Sequence, residues 1–198
     1  MSDIHYPMGF KPLPSKEKPA PLPRAKNKGA ANRGMDFEAE INESNAYYRE
    51  KDLCVMYKRP TPIKIVKVDY SKGATIKEAY FETQSTTDYN GVYKGHYVDF
   101  EAKECRSKTS FPLHNVPPQQ IDHLKAVIRH GGIAFFLIRF ALLDATYFLP
   151  ASYLIAFLES GKRQSIPVAD IKAHGKKVPE GFRPRYDYLP LIDEVFLK

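Results

Sequence analysis

Apolar and polar residues alternate along Tyr97–Lys103. Val98, Phe100 and Ala102 fall on one side, and Tyr97, Asp99, Glu101 and Lys103 on the other. That period of two predicts a half-buried strand, with Val92–Glu104 as core strand material around it. Ile133–Phe140 is almost continuously apolar and of strand length, which predicts a central strand with Ala145–Leu149 as its neighbour. Between these runs, Ile121, Leu124, Val127 and Ile128 recur at helical spacing. Pro117-Pro118 opens that helix and Gly131-Gly132 ends it. Thr109–Leu113 reads as a loop.

Met35–Tyr48 predicts a helix with Phe37, Ile41 and Ser44 near one face and Glu38, Asn42 and Asn45 along another. Leu53–Tyr57 is a short strand, interrupted by Arg59-Pro60-Thr61-Pro62. Ile63–Tyr70 and Ala74–Phe81 then read as two strands joined at Ser71-Lys72-Gly73. Asn90-Gly91 predicts a further turn, one that folds Asp88 back toward the 97–103 strand. Near the other end, Ala151–Leu158 reads as a short helix. Ser165-Ile166-Pro167 caps another that runs to about His174. Arg183, Arg185 and several aromatics follow, with the pattern of a tail that docks on the core. No internal repeat is evident.

Residues 1–31 break with this patterning. They hold Pro7, Pro12, Pro14, Pro19, Pro21 and Pro23 among Lys and Ala, and predict a flexible basic arm or a solubilising tail. Within residues 1–33 seven basic side chains face two acids, which accounts for five of the seven net positive charges. A cationic chain favours a polyanion through attraction and counterion release, although an acidic membrane surface is also compatible. At 198 residues the remainder, 32–198, is long enough for one substantial domain.

The longest apolar candidate, Gly132–Leu143, contains Arg139, so no membrane span is expected. Met1-Ser2-Asp3-Ile4-His5 lacks the pattern of a secretory signal. Cys54 and Cys105 fit neither a disulfide framework nor a zinc site. Reduced thiols in a cytoplasmic protein are the expectation.

The candidate chemistry lies in Thr86-Thr87-Asp88 and Glu101-Ala102-Lys103. Glu101 and Lys103 share a strand face, and the expected turn returns Asp88 to it. Two carboxylates can hold a hard divalent cation, while an ammonium faces a phosphate or an attacking water. Spacing of this kind is common, and such a trio is more often a solvated sheet edge. Glu38, a helical acid, can reach the same place or simply face solvent. Lys58, Arg59, Lys64, Lys67, Lys72 and Lys77, on and before the paired strands, form either a DNA-facing projection or an ordinary exposed hairpin.

Several segments beyond the arm resemble the RecU family, the Holliday-junction resolvases of Gram-positive bacteria, within the PD-(D/E)XK restriction-endonuclease-like superfamily. They are Asn32-Arg33-Gly34-Met35, Ile41–Tyr48, Lys77-Glu78-Ala79-Tyr80-Phe81, Thr86–Gly91, Tyr97–Glu104, Lys108-Thr109-Ser110-Phe111-Pro112 and Gln120 with its helix. The resemblance implies an α/β nuclease with a central mixed β-sheet flanked by helices and a projecting β-hairpin stalk over residues 58–81. It implies a homodimer that nicks four-way DNA junctions symmetrically with Mg2+, leaving 5′-phosphate and 3′-hydroxyl ends, and that interacts with the recombinase RecA. The family's metal ligands fall on Thr86, Asp88, Glu101 and Gln120, and its transition-state-stabilising lysine on Lys103. Thr87 stands where the superfamily name has proline. Arg24, Lys26, Lys28 and Arg33 join the hairpin cations as expected DNA contacts.

Three other classes stay open: a structure-selective DNA-binding protein without catalysis, a restriction or mismatch endonuclease acting on duplex, and a soluble phosphatase. Two acids within a basic groove fit the first poorly, and the phosphatase gives no role to the arm or hairpin.

Overall fold

The computed structural model describes residues 30–82 and 86–198. Arg24, Lys26, Lys28 and nearly all of the expected arm lie outside them.

The chain begins with a helix, α1 (Ala30–Glu50), which starts five residues before the patterned stretch. Strand β1 (Val55–Lys58) leads to a hairpin of β2 (Ile63–Asp69) and β3 (Thr75–Phe81). Next come β4 (Tyr89–Tyr93), β5 (His96–Cys105) and β6 (Ser110–Pro112), then α2 (Pro118–Arg129), β7 (Ile133–Phe140) and β8 (Ala145–Pro150). The chain closes with α3 (Ala151–Glu159), β9 (Ser165–Pro167), α4 (Val168–His174), β10 (Lys176–Lys177) and α5 (Leu189–Phe196).

Six strands form one sheet in the order β1-β4-β5-β7-β8-β10, with β5 and β7 parallel and the other neighbours antiparallel. The expected central mixed sheet flanked by helices is therefore present. On one face, Phe37, Ile41 and Tyr48 of α1 pack with Tyr186, Tyr188 and Ile192 against Met56, Phe100 and Phe135. The aromatic tail docks there as its composition predicts. On the other face, Ile121 and Leu124 of α2, Leu154 of α3 and Ile171 of α4 cover Phe136, Ile138 and Leu149.

A row of rings crosses the first face from β4 to β8. Tyr89 stacks on Phe100 at 4.7 Å, Phe100 on Phe135 at 4.8 Å, and Phe135 on Phe148 at 4.2 Å between centroids. Each stacked pair contributes about 1 kcal/mol beyond its burial. A slip of one residue would turn every ring to the opposite face, so the row fixes the strand register. Asp88 adjoins the first ring in sequence and Glu101 the second.

Three expectations about local structure need correction. Asn90-Gly91 makes no turn; both residues lie within β4. The reversal occurs at Lys94-Gly95, where φ is 47° and 79°, the pair of positive values that a tight hairpin turn demands. Gly91 instead permits a close approach, because a Cβ there would sit 1.8 Å from the Val55 carbonyl oxygen of β1. Ile128 is exposed, while Gln120 takes a buried place beside Ile121, Leu124 and Val127. The expected loop at 109–113 contains β6, which pairs antiparallel with β9; Ser165–Pro167 forms that strand and also leads into α4, which follows Pro167 and ends at His174 as expected. The last of these is a pairing between distant segments, which local patterning does not encode.

The hairpin is as expected from the sequence: β2 and β3 pair antiparallel and reverse at Ser71–Gly73. They form a sheet of their own and pack mainly on each other. No described helix is long and apolar enough to cross a membrane.

Candidate active site

Alternation along β5 sends Asp99, Glu101 and Lys103 to the face opposite the ring row. Glu101 has no exposure in the folded chain, which is unusual for a carboxylate and needs partners. Its Oε2 accepts the backbone N–H of Asp88 at 2.9 Å. Its Oε1 accepts Gln120 Nε2 at 2.9 Å and lies 2.6 Å from Lys103 Nζ. Burial pushes the Glu101 carboxyl up to about 7; the charge of Asp88 pushes the same way and Lys103 opposes both. Without a cation, the centre thus holds a carboxylate that is reluctant to ionise.

Gln120 reaches this place because it lies in the first turn of α2, whose apolar residues anchor the helix on the sheet. Its Nε2 also lies 3.5 Å from the Thr86 carbonyl oxygen. Its own Oε1 is buried and has no hydrogen-bond partner. An unpartnered acceptor beside the Glu101 carboxylate costs free energy unless something electropositive joins it. The oxygen donors suited to a hard cation are then the Asp88 and Glu101 carboxylates, Gln120 Oε1 and the carbonyl of Thr86. Two residues apart, Thr86 and Asp88 would share a strand face only if their segment were extended. They lie instead in a bend before β4, and Thr86 meets Gln120 through its backbone. Among the described residues no group of three or more His, Cys, Asp or Glu side chains is arranged to hold a metal; the centre offers two.

Glu38 stands at the border of this group. The Tyr89 hydroxyl donates to its backbone carbonyl at 3.1 Å. The Tyr89 phenol is raised first by burial and then by the charges of Glu38, Asp88 and Glu101. The Glu38 carboxylate itself is paired with Lys58.

The expected DNA-facing cations divide. Lys64, Lys67, Lys72 and Lys77 are exposed on the hairpin, where Lys77 lies 3.3 Å from Asp69. Lys58 faces Glu38. Arg59 turns inward to Asp99, with Nη2 2.8 Å from Oδ2. Arg33 lies on α1, but its side chain is outside the described set.

Asp99 was placed by alternation on the site-facing side without a role. Buried itself, it is the hub of a second group formed with buried Thr87, half-buried Arg59 and His123, and exposed Tyr97. The one signal for it in the sequence is its place in the same alternating row as Glu101.

An α/β fold that brings two acids, a glutamine and a lysine to the middle of a mixed sheet has the architecture of a nuclease. Residues 32–194 match the family described as "RecU: Recombination protein U". The chain is 49% identical to a Holliday junction resolvase RecU of Geobacillus kaustophilus over 98% of each chain. It is also 49% identical to that of Limosilactobacillus fermentum, over 97% of this chain and 93% of the relative. A solved structure of Hjc, a Holliday junction resolvase from the archaeon Archaeoglobus fulgidus, aligns at a TM-score of 0.42 and 12% identity. It covers 71% of this chain and 93% of the other. The chain belongs to the RecU family, and its enzymatic class is that of a nuclease.

Proposed function

We propose that this chain is a magnesium-dependent endonuclease that resolves four-way (Holliday) DNA junctions by paired, symmetric nicks during recombination and repair. The observation that carries the reading is the buried Glu101 carboxylate, held by the Asp88 backbone, Gln120 and Lys103, with an unpartnered buried oxygen of Gln120 beside it. All the donors are oxygens, the set that magnesium favours.

Asp88 and Glu101 would supply the anionic ligands, and Gln120 Oε1 and Thr86 the neutral ones, directly or through water. When bound, the cation supplies charge that polarises the scissile phosphate and the attacking water. Lys103, held against Glu101, stabilises the negative charge that builds on the phosphate oxygens in the transition state. Water attack on phosphorus with departure of the 3′ oxygen leaves 5′-phosphate and 3′-hydroxyl ends. Glu38 is an outer member that holds Lys58 at the border.

The hairpin is the proposed stalk. Its exposed lysines meet phosphates, while its protruding shape suits the open centre of a junction, for which a duplex has no equivalent space. The basic arm, with Arg24, Lys26, Lys28 and Arg33, adds affinity of the same kind. A homodimer is the working form in this reading, since two sites related by a twofold axis can nick both strands of a symmetric junction. The recombinase RecA is a proposed partner and the cytoplasm the proposed compartment.

The test is cleavage of a mobile four-way junction and a matched linear duplex, side by side, with and without magnesium. Paired junction nicks that require magnesium, with the duplex largely spared, are expected. Equal cutting of both substrates would favour the duplex endonuclease, and binding without cutting would favour the non-catalytic protein.

A further inference from the structure

Two residues before Glu101 on the same side of β5, Asp99 is also fully buried. Its Oδ2 accepts Arg59 Nη2 at 2.8 Å and the Tyr97 hydroxyl at 2.7 Å, and lies 2.9 Å from His123 Nε2. Its Oδ1 accepts the Thr87 hydroxyl. Arg59 extends the group, with Nη1 3.1 Å from Thr87 Oγ1 and Nη2 2.7 Å from the Tyr97 hydroxyl. The backbone N–H of Arg59 donates to the Asp88 carbonyl at 2.7 Å.

Removing a carboxylate and a guanidinium from water costs several kcal/mol, offset only where the hydrogen bonding is nearly complete. Here the bonding converges on one segment. Thr87 lies between Thr86 and Asp88, and none of the three belongs to a strand; one backbone bond, from Arg59 N–H to the Asp88 carbonyl, reaches them at the end of the β1–β4 pairing. Side-chain contacts complete their placement: Thr87 to Asp99 and Arg59, the Asp88 N–H to Glu101, and Thr86 to Gln120.

We propose that Asp99 is a positioning residue of the catalytic centre. With Arg59 and His123 as its buttresses, it holds Thr87 and so fixes Thr86 and Asp88 against Glu101. Arg59 then serves the geometry of the centre more than DNA affinity. This inference rests on the reading of Asp88 and Glu101 as metal ligands. Groups that orient metal ligands in this way typically change metal affinity or activity by about 10–100-fold when removed.

The experiment uses the full chain with Thr87→Val, which replaces the hydroxyl with a methyl group, and Asp99→Asn, which keeps the shape and removes the charge. Magnesium binding to the DNA-free protein is measured by titration calorimetry, junction affinity in chelator, and single-turnover cleavage across a magnesium series. Thr87→Val leaves three partners on Asp99, so it keeps the test valid if Asp99→Asn fails to fold. The expected result is about tenfold weaker magnesium binding and a matching rise in the magnesium needed for cleavage. Junction affinity stays within about twofold, well below the effect of a lost phosphate contact network. Wild-type magnesium binding in Thr87→Val would overturn the proposal, as would weakened junction affinity with an unchanged magnesium requirement. If the wild type binds magnesium but cuts no junction, the functional reading falls separately, and the calorimetry still decides the positioning role.

Discussion

Two pairs of neighbouring strands use their residues in opposite ways. Along β5 and β7, most residues are buried, and even the charged Asp99 and Glu101 are enclosed. Along β2 and β3, apolar Ile63, Ile65, Ile76, Tyr80 and Phe81 are exposed beside lysines. The first pair can fix a carboxylate within a fraction of an ångström, because close-packed neighbours leave it nowhere to go. The second pair fixes little but presents a reach of charge and apolar surface to something outside. Chemistry and substrate capture should therefore be separable by mutation.

The sharpest separation is expected from Asp88→Asn and Glu101→Gln. Each removes an anionic ligand and keeps the side chain's size. Cleavage in magnesium should be nearly abolished while junction affinity, read by gel shift in chelator, stays close to wild type. Lys103→Ala comes next, with a single-turnover rate lower by about two to three orders of magnitude at saturating protein, the scale of one lost transition-state contact. A rate equal to wild type would remove Lys103 from the centre. Gln120→Ala should raise the magnesium concentration for half-maximal cleavage by about tenfold, with little change in melting temperature; an unchanged titration would show that its unpartnered oxygen is no ligand.

The raised Glu101 carboxyl adds a test on the buried side of the comparison. Its folded value of about 7 stands above the ordinary 4.5. Between these pH values the unfolded chain releases the proton first, so this group's contribution to stability is present below 4.5 and lost as pH rises through 7. Denaturant unfolding of metal-free wild type and Glu101→Gln at pH 4 and pH 8 should show the variant gaining on the wild type by about 3 kcal/mol. A pH-independent difference would mean that Glu101 titrates normally. The exposed pair should give the smallest effect. Neutralising Lys64, Lys67, Lys72 and Lys77 should weaken junction binding by about tenfold and reduce its salt slope by about one for each lysine that meets a phosphate. The saturated cleavage rate should not change.

Legibility in the sequence follows the same division. Val98, Phe100 and Ala102 against Asp99, Glu101 and Lys103 spell out β5 through their alternation, but the half-buried strand this predicts is buried on both faces, with Asp99 and Glu101 enclosed. Pro117-Pro118 and Gly131-Gly132 bracket α2 for equally local reasons, and the hairpin with its Ser71–Gly73 reversal was evident too. What escaped depends on residues far apart in the chain. Asn90-Gly91 has the local chemistry of a turn, but the glycine is required by the Val55 carbonyl, more than thirty residues earlier. The β6–β9 pairing joins Phe111 to Ile166. Asp99 carries no local mark of its proposed role, because all its partners except Tyr97 come from outside β5: the approach to β4, the end of β1, and α2. Alternation placed Glu101 beside Lys103, whereas the direction of Thr86 and the inward turn of Arg59 depend on packing.

One measurement bears most directly on the claim that a buried metal-binding centre cuts what the exposed surface captures. Junction complexes of wild type, Glu101→Gln and the hairpin lysine variant would be assembled in chelator at saturating protein. Excess magnesium is then added and nicking is followed in a single turnover. The account predicts rapid paired nicks for the wild type, the same rate for the hairpin variant, and an intact junction in the Glu101→Gln complex. Wild-type nicking by Glu101→Gln would contradict it.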